Sequence, residues 1–278
     1  PATPELYPLT RSSAASDVYK RQNRTWRKNA ARHVYHIRAN TLLNRIGRNA
    51  AVSSEPYQQQ LIRFGDKPPV NAIVLATTNE HKARELSRLL RDQSMLSVPL
   101  ADFPHVTPIV EDGRSLAENA CKKAVGYAQQ LARWVLADDT GLEVDVLKGA
   151  PGVRSARYAG DQATMAENRD KLLDDLSAFP ESQWSARYVC HLAVANPAGE
   201  LVAQTAGRCL GRICREPAGE SGFGYDVLFE VEGYGKRMAE LTDEELAIIG
   251  HRACALQSLA ESPQFVAKKE SLPFIAAR

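Results

Sequence analysis

Apolar residues first become regular at Ala72, where the run Ala72-Ile73-Val74-Leu75-Ala76 predicts a buried strand and Leu86, Leu89 and Leu90 continue at helical spacing. Ser115-Leu116-Ala117-Glu118 has the form of a capping box and predicts a helix to about Leu131. The apolar stretch Trp134 to Ala137 then predicts a strand that ends on Asp138 and Asp139. A second box, Thr164 to Glu167, opens a helix to about Leu176. Ala186 to Asn196, a Pro197-Ala198-Gly199 turn and Glu200 to Cys209 read as a long antiparallel hairpin. A third box, Thr242 to Glu245, starts a last helix that ends near Leu259. Strands and helices alternate first and an antiparallel portion follows, so the pattern predicts an α/β fold: a mixed central sheet with flanking helices.

Residues 1–69 lack such periodicity and end in Asp66-Lys67-Pro68-Pro69, a linker signal. They carry 12 Lys and Arg against 4 Asp and Glu, leaving 23 against 29 for the rest, so the net +2 hides a basic extension and an acidic remainder. The extension reads as a disordered segment, as a mitochondrial-type presequence, as sequence foreign to the protein, or as a nucleic-acid-binding arm. The organisation expected is therefore 1–69 extension, 70–260 catalytic domain and 261–278 tail. An acidic domain is poorly suited to nucleic acid and points to a small ligand. No apolar run reaches the roughly 18 residues of a membrane span. Five cysteines without a C-x-x-C pair argue against a disulfide framework or zinc site and fit a reducing compartment, hence a cytoplasmic location, or a mitochondrial one if the extension is a native presequence.

Four segments carry candidate chemistry. Thr77-Thr78-Asn79-Glu80-His81-Lys82 lies where a buried strand turns into a helix, a place where backbone N–H groups, hydroxyls and an ammonium can meet phosphate oxygens; the alternative is an ordinary helix cap. Glu111-Asp112 and Asp138-Asp139-Thr140-Gly141 bring acids from two places, suited to Mg²⁺ and to deprotonating a water; the alternative is that Asp139 and Thr140 shape a turn. Gly222-Phe223-Gly224-Tyr225-Asp226 allows close backbone approach and offers Phe223 or Tyr225 to a flat base, although such loops are common at sheet corners. His251-Arg252, in the last helix, reads on its own as a solvated pair.

In this order and spacing, the four segments resemble the inosine triphosphatase family of non-canonical purine nucleoside triphosphate pyrophosphatases. The likeness spans about Asn71 to Leu259 and is most specific at Asp138 to Asp145, at Gly149 to Val153 with Ser155 to Gly160, and at Gly222 to Asp226. It implies a two-lobed mixed sheet around a nucleotide cleft, a homodimer, and Mg²⁺-dependent hydrolysis of ITP, dITP or XTP to the monophosphate and pyrophosphate. It also implies roles: Thr77 to Lys82 grip phosphate, Glu111 and Asp139 hold the metal, and Asp139 is catalytic. Thr140 and Lys123 contact substrate, Phe223 to Asp226 form the base pocket, and His251 and Arg252 read the base. Asp138 is expected to help from behind.

Some positions depart from the family pattern. Leu246 stands where a nucleotide-contacting lysine is usual, which would weaken binding unless Lys236 or Arg237 compensates, and which motivates an alternative, a nucleotide-binding protein with weak or no catalysis. Thr78 replaces a frequent Gly, Val227 a Pro and Gly250 a Ser. A related group, the septum-linked nucleotide pyrophosphatases, has similar architecture, but the His251-Arg252 pair favours the purine-specific family.

Overall fold

Ile73, Val74 and Leu75 form β1 (Ile73–Leu75), completely buried in a six-stranded sheet of order β2-β1-β3-β4-β5-β6. The computed structural model describes residues 71–268. The expected extension and the end of the expected tail lie outside the described residues. Asn79 ends the loop after β1 and caps α1 (Glu80–Asp92), which returns the chain to β2 (Ser97–Pro99), parallel to β1. Ser115 caps α2 (Leu116–Leu131), which leads to β3 (Val135–Val144) on the other side of β1, again parallel. β1 is thus the place where successive connections diverge, and a crevice beyond the carboxyl end of such a strand is where α/β sheets bind ligands.

The rest of the sheet is antiparallel. After α3 (Met165–Leu176), begun by the Thr164/Glu167 capping box, β4 (Ser185–Ala195) and β5 (Leu201–Ile213) form the long hairpin, and β6 (Phe229–Val231) adds a short edge. The mixed sheet agrees with the sequence pattern. β2 and β6, at three residues each, are too short to show a period.

Three apolar clusters fix the layers. Ile73, Leu75, Leu86, Leu90, Leu192 and Leu256 pack on one face, beneath α1 and α5 (His251–Ala260). On the other face Val74 and Val135 meet Ala120, Ala124 and Ala128 of α2, whose small side chains let the helix lie close. The outer halves of β3, β4 and β5 carry a third cluster, including Leu142, Val144, Trp184 and Phe229, so the long strands run from one lobe's core into the other's. Each fully buried Leu or Phe contributes about 1.5–3 kcal/mol.

Two expected boundaries change. β3 does not stop at Asp138 and Asp139; it runs on to Val144, paired with β4 along its whole length, which also excludes a turn at Asp139-Thr140. The last helix breaks at Gly250, where α4 (Asp243–Ile249) ends and α5 begins. Gly207 on β5 seats α5 on the sheet: a Cβ there would come within 2.2 Å of the His251 carbonyl oxygen. Packing also continues past residue 260, because Phe265 of α6 (Pro263–Val266) is buried with Leu256 and Leu259.

Candidate active site

Successive residues of a strand face opposite sides of its sheet, and β3 uses that rule to separate its two aspartates. Asp138 faces α1 and α5. Its carboxylate is fully buried and meets the Lys82 ammonium at 3.1 Å, the Arg252 Nε at 3.0 Å and the Thr140 hydroxyl at 2.8 Å. Burial opposes its charge, but Lys82, Arg252 and Lys123 outweigh burial and hold the carboxyl well below the usual carboxylate range. Asp138 is a fixed counter-charge rather than a proton carrier.

Asp139 faces α2, with 12% of its side chain exposed. Asn119 donates to its Oδ2 at 3.1 Å, and the Lys123 ammonium lies 3.5 Å from its Oδ1. The same ammonium bonds Glu111 Oε2 at 2.8 Å and the Asp138 backbone carbonyl at 2.7 Å. Burial raises the proton affinity of Asp139; Lys123 and Lys82 offset only part of that, and Glu111 adds to it. The structure thus brings Glu111, Lys123 and Asp139 together and makes Asp139 the aspartate that can exchange a proton. Among the described residues there is no cluster of three or more His, Cys, Asp and Glu placed to hold a metal. Glu111 and Asp139 supply two carboxylates from separate elements, with the Lys123 cation between them. Two hard oxygen donors suit Mg²⁺, which takes one or two carboxylates and completes its shell with water and substrate phosphate.

The loop after β1 differs from its expected form in one respect. Asn79 Oδ1 accepts the N–H groups of His81 at 3.0 Å and Lys82 at 3.2 Å, and Thr77 Oγ1 accepts that of Asn79 at 3.1 Å. Those amides are satisfied by the cap, so the loop presents side chains rather than these three N–H groups. Lys82 turns inward to Asp138 while Thr78 and Glu80 stay at the surface side of the helix start.

The base-pocket segment lies across from this loop. Phe223 is half-buried; its ring stacks on His81 with centroids 5.6 Å apart, and the Arg252 guanidinium sits 5.5 Å from its centroid. Asp226 Oδ2 accepts the Phe223 N–H at 2.8 Å and closes the turn through Gly224, whose φ of +70° suits glycine. Burial pushes the Asp226 carboxyl up to about 6, against the Phe223 N–H and the Tyr188 hydroxyl. Tyr225 does not follow the expectation of a base-stacking ring: it is 2% exposed, and its hydroxyl donates to the Ser155 carbonyl at 2.8 Å, so it is a core residue.

His251 and Arg252, 4% and 1% exposed, are not a solvated pair. Arg252 gives Nε to Asp138, Nη1 to Glu85 at 2.8 Å and Nη2 to the Thr140 hydroxyl at 3.3 Å, so much of its donor capacity is committed within the protein. His251 is the reverse case. Both ring nitrogens lack a hydrogen-bond partner among the described residues, and burial together with Arg252 depresses its basicity well below the ordinary value, leaving a neutral imidazole.

Leu246 is half-buried against the third apolar cluster. Neither suggested substitute for the missing lysine is free of carboxylates: Lys236 pairs with Glu245 at 3.2 Å and Arg237 with Glu230 at 2.8 Å.

Asn119, Glu85 and Tyr188 join these groups and escaped the sequence reading. Asn119 precedes Lys123 by four residues on α2 and Glu85 follows Lys82 by three on α1, spacings that place each pair on one helix face and could have flagged both. Tyr188 falls within the strand expected over Ala186 to Asn196, with no motif to mark it.

The chain is 45% identical over 195 residues to a dITP/XTP pyrophosphatase of Desulfotalea psychrophila, covering 70% of this chain and 86% of that protein. It is 47% identical over 189 residues to a dITP/XTP pyrophosphatase of Geobacillus kaustophilus, covering 68% and 92%. Among solved structures, a HAM1 protein from Coxiella burnetii superposes with a TM-score of 0.62 at 39% identity, over 71% of this chain and 98% of that one. The Staphylococcus aureus Ham1 protein gives 0.61 at 33%, over 72% and 99%. Residues 73–262 match the model of the Ham1 family, and the chain belongs to that family.

Proposed function

We propose that this protein is a nucleoside triphosphate pyrophosphatase that hydrolyses ITP, dITP and XTP to the monophosphate and pyrophosphate. The observation that carries the reading is the division of labour on β3, where Asp138 is neutralised and buried while Asp139, of raised proton affinity, stands beside Glu111 and Lys123. The relatives named dITP/XTP pyrophosphatase point to the same reaction. The comparisons give no support to the alternative of binding without catalysis.

In this reading Asp139 accepts the proton of the attacking water, and Asn119 holds the carboxylate in place. Lys82 and Lys123 set positive charge on either side of β3, against which the phosphate chain is stabilised. Mg²⁺ held by Glu111 and Asp139 would offset the charge of the phosphate oxygens. Phe223, half-buried beside His81 and Arg252, provides the aromatic ring for the base. His251, with both ring nitrogens unspent, reads the base edge, and Arg252 fixes the helix start that presents it. A homodimer and a cytoplasmic location complete the proposal. No described helix is long and apolar enough to cross a membrane, and the acidic domain does not favour nucleic acid.

A substrate panel of ITP, XTP, dITP, GTP and ATP with Mg²⁺ tests the reading. Turnover of the first three well above ATP is expected; equal turnover of all five would contradict it.

A further inference from the structure

His81 sits in the segment expected to grip phosphate, but two of its polar groups are engaged elsewhere. Its backbone N–H is spent on the Asn79 side chain at 3.0 Å, as part of the cap of α1. Its Nδ1 lies 3.2 Å from Nη2 of Arg84, and because a guanidinium only donates, that nitrogen is an acceptor with nothing to offer a phosphate oxygen. The face of the ring, by contrast, is turned to Phe223, with centroids 5.6 Å apart and planes 27° from parallel. Phe223 is the fixed partner. Asp226 Oδ2 holds its backbone N–H at 2.8 Å, and Arg169 of α3 donates to the Gly224 carbonyl at 2.9 Å, so the turn that carries the ring is pinned at neighbouring residues. His81 is the movable partner: its side chain is exposed, and Arg84, which holds it, is exposed as well.

We infer that His81 is a base-binding residue: the purine enters between its imidazole and the Phe223 ring, and His81 forms the outer wall of a base slot rather than part of the phosphate grip. A base between two rings needs two layers of van der Waals contact, about 7–8 Å from ring to ring, so the pair parts by about 2 Å as the base enters. An exposed side chain covers that distance by turning about its own torsions, while the cap hydrogen bond of its backbone stays intact. Both faces of the base are then covered by aromatic rings, and its edge is left to His251. Stacking grips any flat base, so His81 adds affinity and leaves the choice of base to that edge.

The inference rests on the base-site reading above, so the test separates the two. His81→Ala, His81→Phe, Phe223→Ala and the double variant His81→Ala/Phe223→Ala are compared with the unchanged protein for kcat and KM on ITP. Competition is measured with IMP, which carries the base, and with pyrophosphate, which does not. For His81→Ala the expected result is a KM raised about 10-fold, within the worth of one base–aromatic stack, with kcat changed less than about threefold. IMP should compete about 10-fold more weakly and pyrophosphate as before. His81→Phe, which keeps a stacking face and has no ring nitrogen, should recover most of the loss. The double variant should bind ITP and IMP more weakly than Phe223→Ala, because His81 touches the base itself. Weakened competition by pyrophosphate, or a phenylalanine variant as impaired as the alanine one, would make His81 a phosphate contact and overturn the inference. A double variant no worse than Phe223→Ala would mean that His81 acts only by supporting Phe223, and overturns it too. If Phe223→Ala weakens ITP and IMP while His81→Ala leaves both unchanged, the role of His81 falls and the base site stands. If neither single variant alters KM or IMP competition, both fall.

Discussion

Asn119 holds Asp139 from α2: its amide nitrogen donates to the Asp139 carboxylate at 3.1 Å while its carbonyl accepts the Gly113 N–H at 2.8 Å. One fully buried side chain therefore ties the loop that carries Glu111 to the carboxylate proposed as general base. Asn119→Ala removes a hydrogen bond to a charged group, worth about 1.5–3 kcal/mol. kcat on ITP should fall by about 10- to 100-fold with KM little changed. Steady-state kinetics check this; a loss confined to KM would move Asn119 from catalysis to binding.

Exchange of each β3 aspartate for asparagine separates their roles. Asp139→Asn should lower kcat at least about 100-fold, the low end for general-base loss, with the fold intact, since it relieves a desolvated charge. Asp138→Asn should instead lower the unfolding temperature, because Lys82 and Arg252 lose the carboxylate between them. Near-normal turnover of Asp139→Asn would pass the role to Glu111.

Arg252→Ala is expected to be costly for the fold. It leaves the buried Asp138 with Lys82 as its remaining direct cationic partner and strips Glu85 of its own. Breaking a buried pair in this way costs about 3–5 kcal/mol, measurable by urea unfolding. Unchanged stability would show that Arg252 is not a structural element of the site.

Asp226 gives a pH prediction. Its carboxyl rises to about 6 in the folded protein, from an ordinary 3.8. Between these values the folded state binds the extra proton, so this group's contribution to stability falls as pH rises through that window and remains unfavourable above it. The cost at neutral pH is about 3 kcal/mol. Asp226→Asn keeps a carbonyl acceptor for the Phe223 N–H and removes the titrating charge. The variant should gain stability over the unchanged protein at pH 7.5 and lose that gain near pH 4. Thermal unfolding at the two values tests this; an identical difference at both would contradict it.

Much of the fold was legible because strong local signals stood alone. The caps at Ser115, Thr164 and Thr242, the apolar run at Ala72 and the Pro197 to Gly199 turn all stand in the structure where the pattern put them. β3 was cut short because acids at 138 and 139 look like a strand's end. Pairing with β4 and the cations Lys82, Arg252 and Lys123 carry the strand through them. The site was legible as motifs and not as contacts. That Tyr225 is core while Phe223 is half-buried, that Arg252 is committed to Asp138 and Glu85, and that Tyr188 stacks on His251 all follow from packing between elements distant in sequence.

Position 246 tests how the site tolerates the missing lysine. Leu246 lies half-buried at the edge of the third cluster, where the methylene stem of a lysine can take its place and leave the ammonium in water. Leu246→Lys should lower the KM for ITP by about 10-fold, the effect of one charge-assisted hydrogen bond, with kcat unchanged. An unaltered KM would mean that this side chain does not reach bound nucleotide.

The most direct measurement is product analysis. ITP incubated with the protein and Mg²⁺ should give IMP and pyrophosphate in equal amounts, with orthophosphate appearing only after inorganic pyrophosphatase is added. Release of IDP and orthophosphate without that helper enzyme would contradict attack at the α-phosphate, and with it the account of the site.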